Sequence, residues 1–217
     1  MNIFIRSMGP VEENHQRFTF DCYFRQYWTD PRLTFNQTNL AELAMNWQFL
    51  SRIWRPDTYF LNGKDSYLHK IAVPNRFIRI APDGRISYSQ RLTITGRCAM
   101  DLRCRTSCLT STSPCTRKFP LDTQLCPLEI GSFGFDVGEM TYSWGKQPLS
   151  MDEGLELAQY TMIDFKHGNR IVKMKNGERS VAYLQFKFQR AIGFYVLQVT
   201  GWPWPIFLRC TSPSTSS

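Results

Sequence analysis

At 217 residues, the chain has room for one all-β domain with a substantial core, and too little for two ordinary domains with linkers. Apolar residues make up 42% of it and aromatics 14%, which excludes a disordered segment and suits a packed sandwich. The formal charge is +8, but Lys and Arg are scattered singly along alternating segments, so the excess reads as solvated surface and not as a nucleic-acid footprint.

In chain order, Met1 to Met8 holds an apolar stretch far too short for a signal peptide. No window approaches the ~20 apolar residues of a membrane span. Phe18, Phe20, Cys22 and Phe24 fall on one side of a period-two pattern, with Thr19, Asp21, Tyr23 and Arg25 on the other. That predicts a half-buried strand with its polar face outward. Asn36-Gln37-Thr38 is a glycosylation sequon, with Asn36 as acceptor. Asn39–Ser51 is the one segment that reads as helical. Asp83-Gly84 predicts a tight turn joining Arg76–Ile80 to Arg85–Thr95. Asn176-Gly177 predicts another, whose return strand alternates Ala182, Leu184, Phe186 and Phe188 with Val181, Tyr183, Gln185 and Lys187. Several short strands separated by turn signals predict an all-β fold, an immunoglobulin-like antiparallel β-sandwich.

Two segments break this texture. Cys104 to Arg117 is rich in Ser, Thr and Cys and has no periodicity, and Thr200 to Ser217 opens on Gly201-Trp202-Pro203-Trp204-Pro205, which rules out a regular helix. Seven cysteines are many for a cytosolic protein and favour an oxidising compartment. Cys104, Cys108 and Cys115 fit no standard zinc spacing, so no metal and no cofactor are expected. His15, His69 and His167 stand in no nucleophile or metal-ligand arrangement and read as surface residues, and no Gly-rich phosphate loop occurs. An enzyme is not expected.

The segment Lys118-Phe119-Pro120-Leu121-Asp122-Thr123-Gln124-Leu125-Cys126, with Cys98 upstream in Cys98-Ala99-Met100-Asp101-Leu102, resembles the signature disulfide loop of the Cys-loop pentameric ligand-gated ion channels. Tyr23-Phe24-Arg25-Gln26-Tyr27-Trp28-Thr29-Asp30-Pro31-Arg32-Leu33 is similar to the first binding-site strand of the inhibitory GABA-, glycine- and glutamate-gated chloride channels. Trp54-Arg55-Pro56-Asp57-Thr58-Tyr59-Phe60 and Arg190-Ala191-Ile192-Gly193-Phe194-Tyr195 resemble two further elements of that branch, in the family's order. The vicinal cysteine pair of nicotinic members does not occur.

The resemblance implies the ligand-binding β-sandwich over 1–199 and a departing tail over 200–217 where relatives enter the first membrane helix. It implies a Cys98–Cys126 disulfide worth ~3 kcal/mol. The enclosed loop is longer than the family's by the length of Cys104–Arg117, which reads as an insertion of small entropic cost. The implied ligand is a small amino-acid-type neurotransmitter, bound between homologous subunits of a pentamer, with no nucleic-acid partner. Tyr23, Arg25 and Ser89 are the expected carboxylate-binding face, and Tyr59 and Phe133 the aromatic face for the transmitter amine. Gly131 stands where GABA-gated relatives carry a glutamate, and the hairpin from Met174 to Arg179 carries basic charge in place of aromatics. The subunit is therefore expected to contribute mainly its carboxylate-binding face, or to answer to a different ligand. Asp122 and Arg190 are candidates for an ion pair coupling binding to gating. The implied location is the extracellular face of the plasma membrane, postsynaptic. Ending before a pore, the chain reads as a truncated or non-conducting channel subunit that reaches the membrane only through a missing pore domain, or as a soluble ligand-binding protein, secreted or retained in the endoplasmic reticulum.

Overall fold

The computed structural model describes residues 1–36, 41–100, 123–155, 157, 159–174 and 177–191. Among them the strands are β1 (Asn2–Glu12), β2 (Arg17–Thr29), β3 (Leu43–Met45), β4 (Thr58–Phe60), β5 (Tyr67–Leu68), β6 (Arg76–Ile80), β7 (Arg85–Arg97), β8 (Thr123–Ser132), β9 (Leu149–Met151), β10 (Tyr160–Met174) and β11 (Gly177–Arg190). They make two sheets. The first has the order β3-β6-β7-β2-β1-β9 with β5 added beside β7, and the second is β10-β11-β8-β4. The pairings are antiparallel apart from β1 with β9, which is parallel.

The alternation expected for residues 18–25 is present. Phe18, Phe20, Cys22 and Phe24 are buried, and Thr19, Asp21, Tyr23 and Arg25 lie half-buried on the other side of β2. In β11 the same period buries Ala182, Leu184, Phe186 and Phe188. Successive strand residues face opposite sides, so the two sheets deliver their phenylalanines to one interior. Phe18 and Phe20 meet the edge of Phe186 with ring centroids 5.6 and 5.7 Å apart. Burying each such ring contributes about 1.5–3 kcal/mol. A smaller core of Leu50, Ile78, Ile80, Ile86 and Tyr88 lies at the β6–β7 end, with Trp28 and Trp47 against it.

Three local features fix how the sheets meet. The Cys98–Cys126 disulfide joins the residue after β7 to the middle of β8, linking one sheet to the other with its Cα atoms 4.8 Å apart. Gly84 turns β6 into β7 at φ +81°, and a Cβ there would lie 2.6 Å from the Asp30 carbonyl oxygen. Conformation and close approach both require glycine at that position. A buried polar chain also crosses the interior. Gln26 of β2 donates to the Thr58 hydroxyl of β4, which shares a 2.8 Å hydrogen bond with Tyr142. Burial pushes the Tyr142 phenol up to about 12, so it stays neutral and hydrogen-bonded.

One expectation is corrected. Of the helical segment expected over Asn39–Ser51, the described part is strand β3 followed by a short 3-10 turn, Trp47–Ser51. Asn46 divides them, because its side chain accepts from the Gln48 N–H at 3.2 Å and starts a new element in mid-segment. Pairing of Leu43 with Ile80 and of Met45 with Ile78 outweighs a weak local helical preference. The apolar stretch at the N-terminus is most of β1, held by β2 on one side and β9 on the other.

Candidate functional site

The outward face of β2 is built by register. Arg25 lies opposite Ser89 of β7, and Tyr23 opposite Arg91 of β7 and Phe4 of β1. Side chains directly across neighbouring strands share a face, so Tyr23, Arg25 and Ser89 come together as expected from the sequence. Ser89 is almost covered, lying between Arg25 and Phe77 of β6. Phe4 packs on Tyr23 at 6.1 Å, and the Arg25 guanidinium lies over Phe4 at 6.0 Å.

Charge on this face is distributed unevenly. Asp21 is gripped by Arg91, whose Nε and Nη2 donate to its carboxylate at 3.1 and 2.6 Å. Arg6 and His69 add longer contacts at 3.7 and 3.6 Å. The hydrogen bond to Asp21 raises the Arg91 guanidinium further above its already high ordinary value, so that cation is fixed and spent. A groove of about 670 Å³ runs along the face past Arg25, Tyr27, Phe77, Arg79 and Arg85. Glu42 neutralises Arg79 at 3.3 Å, and Asp83 neutralises Arg85 at 2.6 Å. Arg25 has no ion pair among the described residues. It is the groove's uncommitted cation.

Tyr59 and Phe133 come together elsewhere, at the β4 edge of the second sheet. Tyr59 pairs with Gly131 across β4 and β8, and the ring centroids of Tyr59 and Phe133 are 5.6 Å apart at 83°. Phe133 is 72% exposed. The loop carrying it is held by Asp57, whose carboxylate accepts from the Ser132 hydroxyl and the Gly134 N–H, both at 2.6 Å. Ser132 Oγ in turn accepts from the Phe135 N–H at 2.7 Å. From β11, Arg179 donates to the carbonyl oxygens of Ser132, at 3.1 Å, and Phe133. Asp57, Ser132 and Arg179 hold this loop, a support that the sequence reading did not foresee, although Arg179 lies in the basic hairpin it singled out. Asp57 was inside a recognised motif, but nothing in the pattern pointed to the loop it clamps.

Arg190 is buried at the end of β11. It pairs with Glu13 and lies over the Tyr160 ring at 5.0 Å, and Tyr160 donates to Glu13 at 2.7 Å. Glu13, in the turn after β1, was not singled out from the sequence. Asp122 lies outside the described residues. Asn36 is described and exposed, whereas Gln37 and Thr38 are outside. His69 is not a free surface residue, because its Nε2 shares a 2.8 Å hydrogen bond with Thr93 beside Asp21. Among the described residues no cluster could hold a metal ion, and no helix is long and apolar enough to cross a membrane. Cys22 is the one free cysteine among them, buried beneath β2, and burial pushes its thiol well above the ordinary range.

Residues 1–192 match the family model described as the neurotransmitter-gated ion-channel ligand binding domain. The chain is 43% identical over 171 residues to the gamma-aminobutyric acid receptor alpha-like protein of Drosophila melanogaster, covering 78% of this chain and 23% of that protein. It is 35% identical over 201 residues to gamma-aminobutyric acid receptor subunit alpha-2 of both Rattus norvegicus and Homo sapiens, covering 91% of this chain and 41% of theirs. It thus spans less than half the length of these relatives. With the two-sheet sandwich, the disulfide between its sheets and a match over nearly the whole described length, the chain belongs to the family of neurotransmitter-gated ion-channel ligand-binding domains.

Proposed function

We propose that this chain is the extracellular transmitter-binding domain of a GABA-type subunit in a pentameric chloride channel, and that it contributes chiefly the carboxylate-binding face of a site between subunits. The observation carrying this reading is Arg25. It is the one groove arginine without an acidic partner among the described residues, set beside the Ser89 hydroxyl and the Tyr23 ring. A guanidinium offers a planar fork that matches a carboxylate, and Ser89 adds a donor. Tyr59 and Phe133 form the aromatic wall of the opposite face. Arg190, with Asp122, takes the coupling role at the end of the sandwich where Glu13 and Tyr160 fix its position. An intersheet disulfide and an exposed sequon asparagine suit the oxidising, glycosylating route to an extracellular surface.

The test is to graft residues 1–190 in place of the matching domain of a pore-bearing GABA receptor subunit and record transmitter-evoked currents. Arg25→Ala should move half-activation to concentrations about 10- to 100-fold higher, the worth of a charge-assisted hydrogen bond. An unchanged half-activating concentration in a channel that reaches the surface would sink the assignment.

A further inference from the structure

A second cleft lies on the opposite side of β6 from the Arg25 groove. Successive strand residues point to opposite sides, so Phe77 and Arg79 line the groove while Arg76 shares the inward row of Ile78 and Ile80. Arg76 is therefore a cation in a core row. Against this row lies the turn Trp47–Ser51, which starts at the Asn46 cap and buries Leu50 with Ile78 and Ile80. An open cleft of about 240 Å³ is lined by Trp47, Gln48, Leu50, Ser51, Arg55 and Arg76. Two of these are arginines and none is acidic. The Arg76 guanidinium lies over the Trp47 ring at 5.1 Å, which fixes its plane. Its Nε is buried without a hydrogen-bond partner, whereas its two terminal nitrogens remain accessible and make no hydrogen bond. Among the described residues neither Arg76 nor Arg55 has an ion pair, although Arg79 and Arg91 of the same sheet each have one. A half-buried cation without a counter-charge is costly, and a ring face offsets only part of that cost.

We propose that this cleft is an anion site that takes a phosphate group, free or as a monoester. The terminal nitrogens of Arg76 and the guanidinium of Arg55 donate to its oxygens from two separate elements, and two positive charges with no acid beside them suit a group of about −1.5 to −2 charge. The Ser51 hydroxyl is committed to the Gln48 carbonyl at 2.8 Å, so it holds the turn closed. The Gln48 side-chain amide, on the cleft wall, adds a neutral donor. Binding gives Arg76 the counter-charge that its surroundings lack and ties the turn to β6. Because the cleft and the Arg25 groove share no lining residue, this site does not depend on the transmitter reading.

The test uses the full chain, produced through an oxidising secretory route, and follows the Trp47 indole N–H by NMR, its resonance assigned with Trp47→Phe. Inorganic phosphate and glycerol 3-phosphate are titrated separately, with sodium chloride at matched ionic strength as the control. Phosphate should shift the resonance to saturation, and chloride should not. Arg76→Gln and Arg55→Gln should each weaken binding about tenfold, the worth of a charge-assisted hydrogen bond. Arg55 is exposed, so its variant keeps the test open if Arg76→Gln does not fold. Tighter binding of glycerol 3-phosphate identifies a monoester as the ligand, and equal or tighter binding of inorganic phosphate identifies the free ion. Arg25→Ala should leave both titrations unchanged. A shift that chloride reproduces overturns the proposal, as does phosphate binding that survives loss of both Arg76 and Arg55 or that is lost only with Arg25. Failure of the Arg25 reading appears instead in the evoked currents.

Discussion

The outward face of β2 and the loop after β8 both present arginine next to aromatic rings, yet they reach that state by different means. On β2 the arrangement follows from strand geometry. Register with β1 and β7 puts Phe4, Tyr23, Arg25 and Ser89 in neighbouring rows, and the acidic groups nearby are spent on other arginines. At the loop the arrangement depends on side chains reaching backbone over long sequence distances, Asp57 to Gly134 and Arg179 to Ser132. A regular scaffold leaves its cation available, whereas an irregular loop uses its cation to hold itself together. The same residue type beside the same ring type is thus poised for a ligand in one region and internally satisfied in the other.

The largest perturbation should act on both regions at once. Cys98→Ser removes the link between sheets and is expected to lower unfolding stability by about 3 kcal/mol, read from the denaturant midpoint of the oxidised chain. An unchanged midpoint would show that the bridge does not constrain the sandwich. Next, Asp57→Ala should act on the loop alone. Two carboxylate hydrogen bonds are lost, and a fall of about 2 kcal/mol is expected, together with loss of nuclear Overhauser contacts between the Tyr59 and Phe133 rings. If those contacts persist, Asp57 does not position the aromatic wall.

Much of the first region was legible in advance. Alternation from Phe18 to Arg25 gives the strand and its outward face, and Asp83-Gly84 gives the hairpin that places Ser89 nearby. Those signals are local and need only two-residue periodicity or a single turn. The loop clamp was not legible, because Asp57 and Gly134 are 77 positions apart and carry no local pattern. The Glu13–Arg190 pair, separated by 177 positions, was missed for the same reason. Asn39–Ser51 failed in the opposite sense. There the helical preference was local, and pairing with the edge of β6 decided the outcome.

Arg25→Ala should sharpen the comparison by its lack of structural effect. Arg25 has no ion pair among the described residues, so stability should change by less than about 0.5 kcal/mol even as carboxylate binding is lost. A drop several times larger would mean that the residue is structural. The smallest effect is expected at the Asp83 turn. The Arg85 N–H, followed by its guanidinium, holds the Asp83 carboxyl below its ordinary value of 3.8. A lowered folded value means that its small stabilisation is complete above that ordinary value and is lost as pH falls through the lowered one. Asp83→Asn should therefore lower stability slightly at neutral pH and leave the strongly acid region unchanged, which flattens the acid limb of the profile. An equal loss at neutral and acid pH would show a role other than the charge.

The most direct test of the contrast between the two regions is the relative reactivity of Arg25 and Arg179 towards phenylglyoxal, followed by peptide mass spectrometry on the native chain. Arg25 should be modified about tenfold faster, because the Arg179 guanidinium is committed to two loop carbonyls and the Arg25 guanidinium to none. Equal rates, or faster modification of Arg179, would contradict the account.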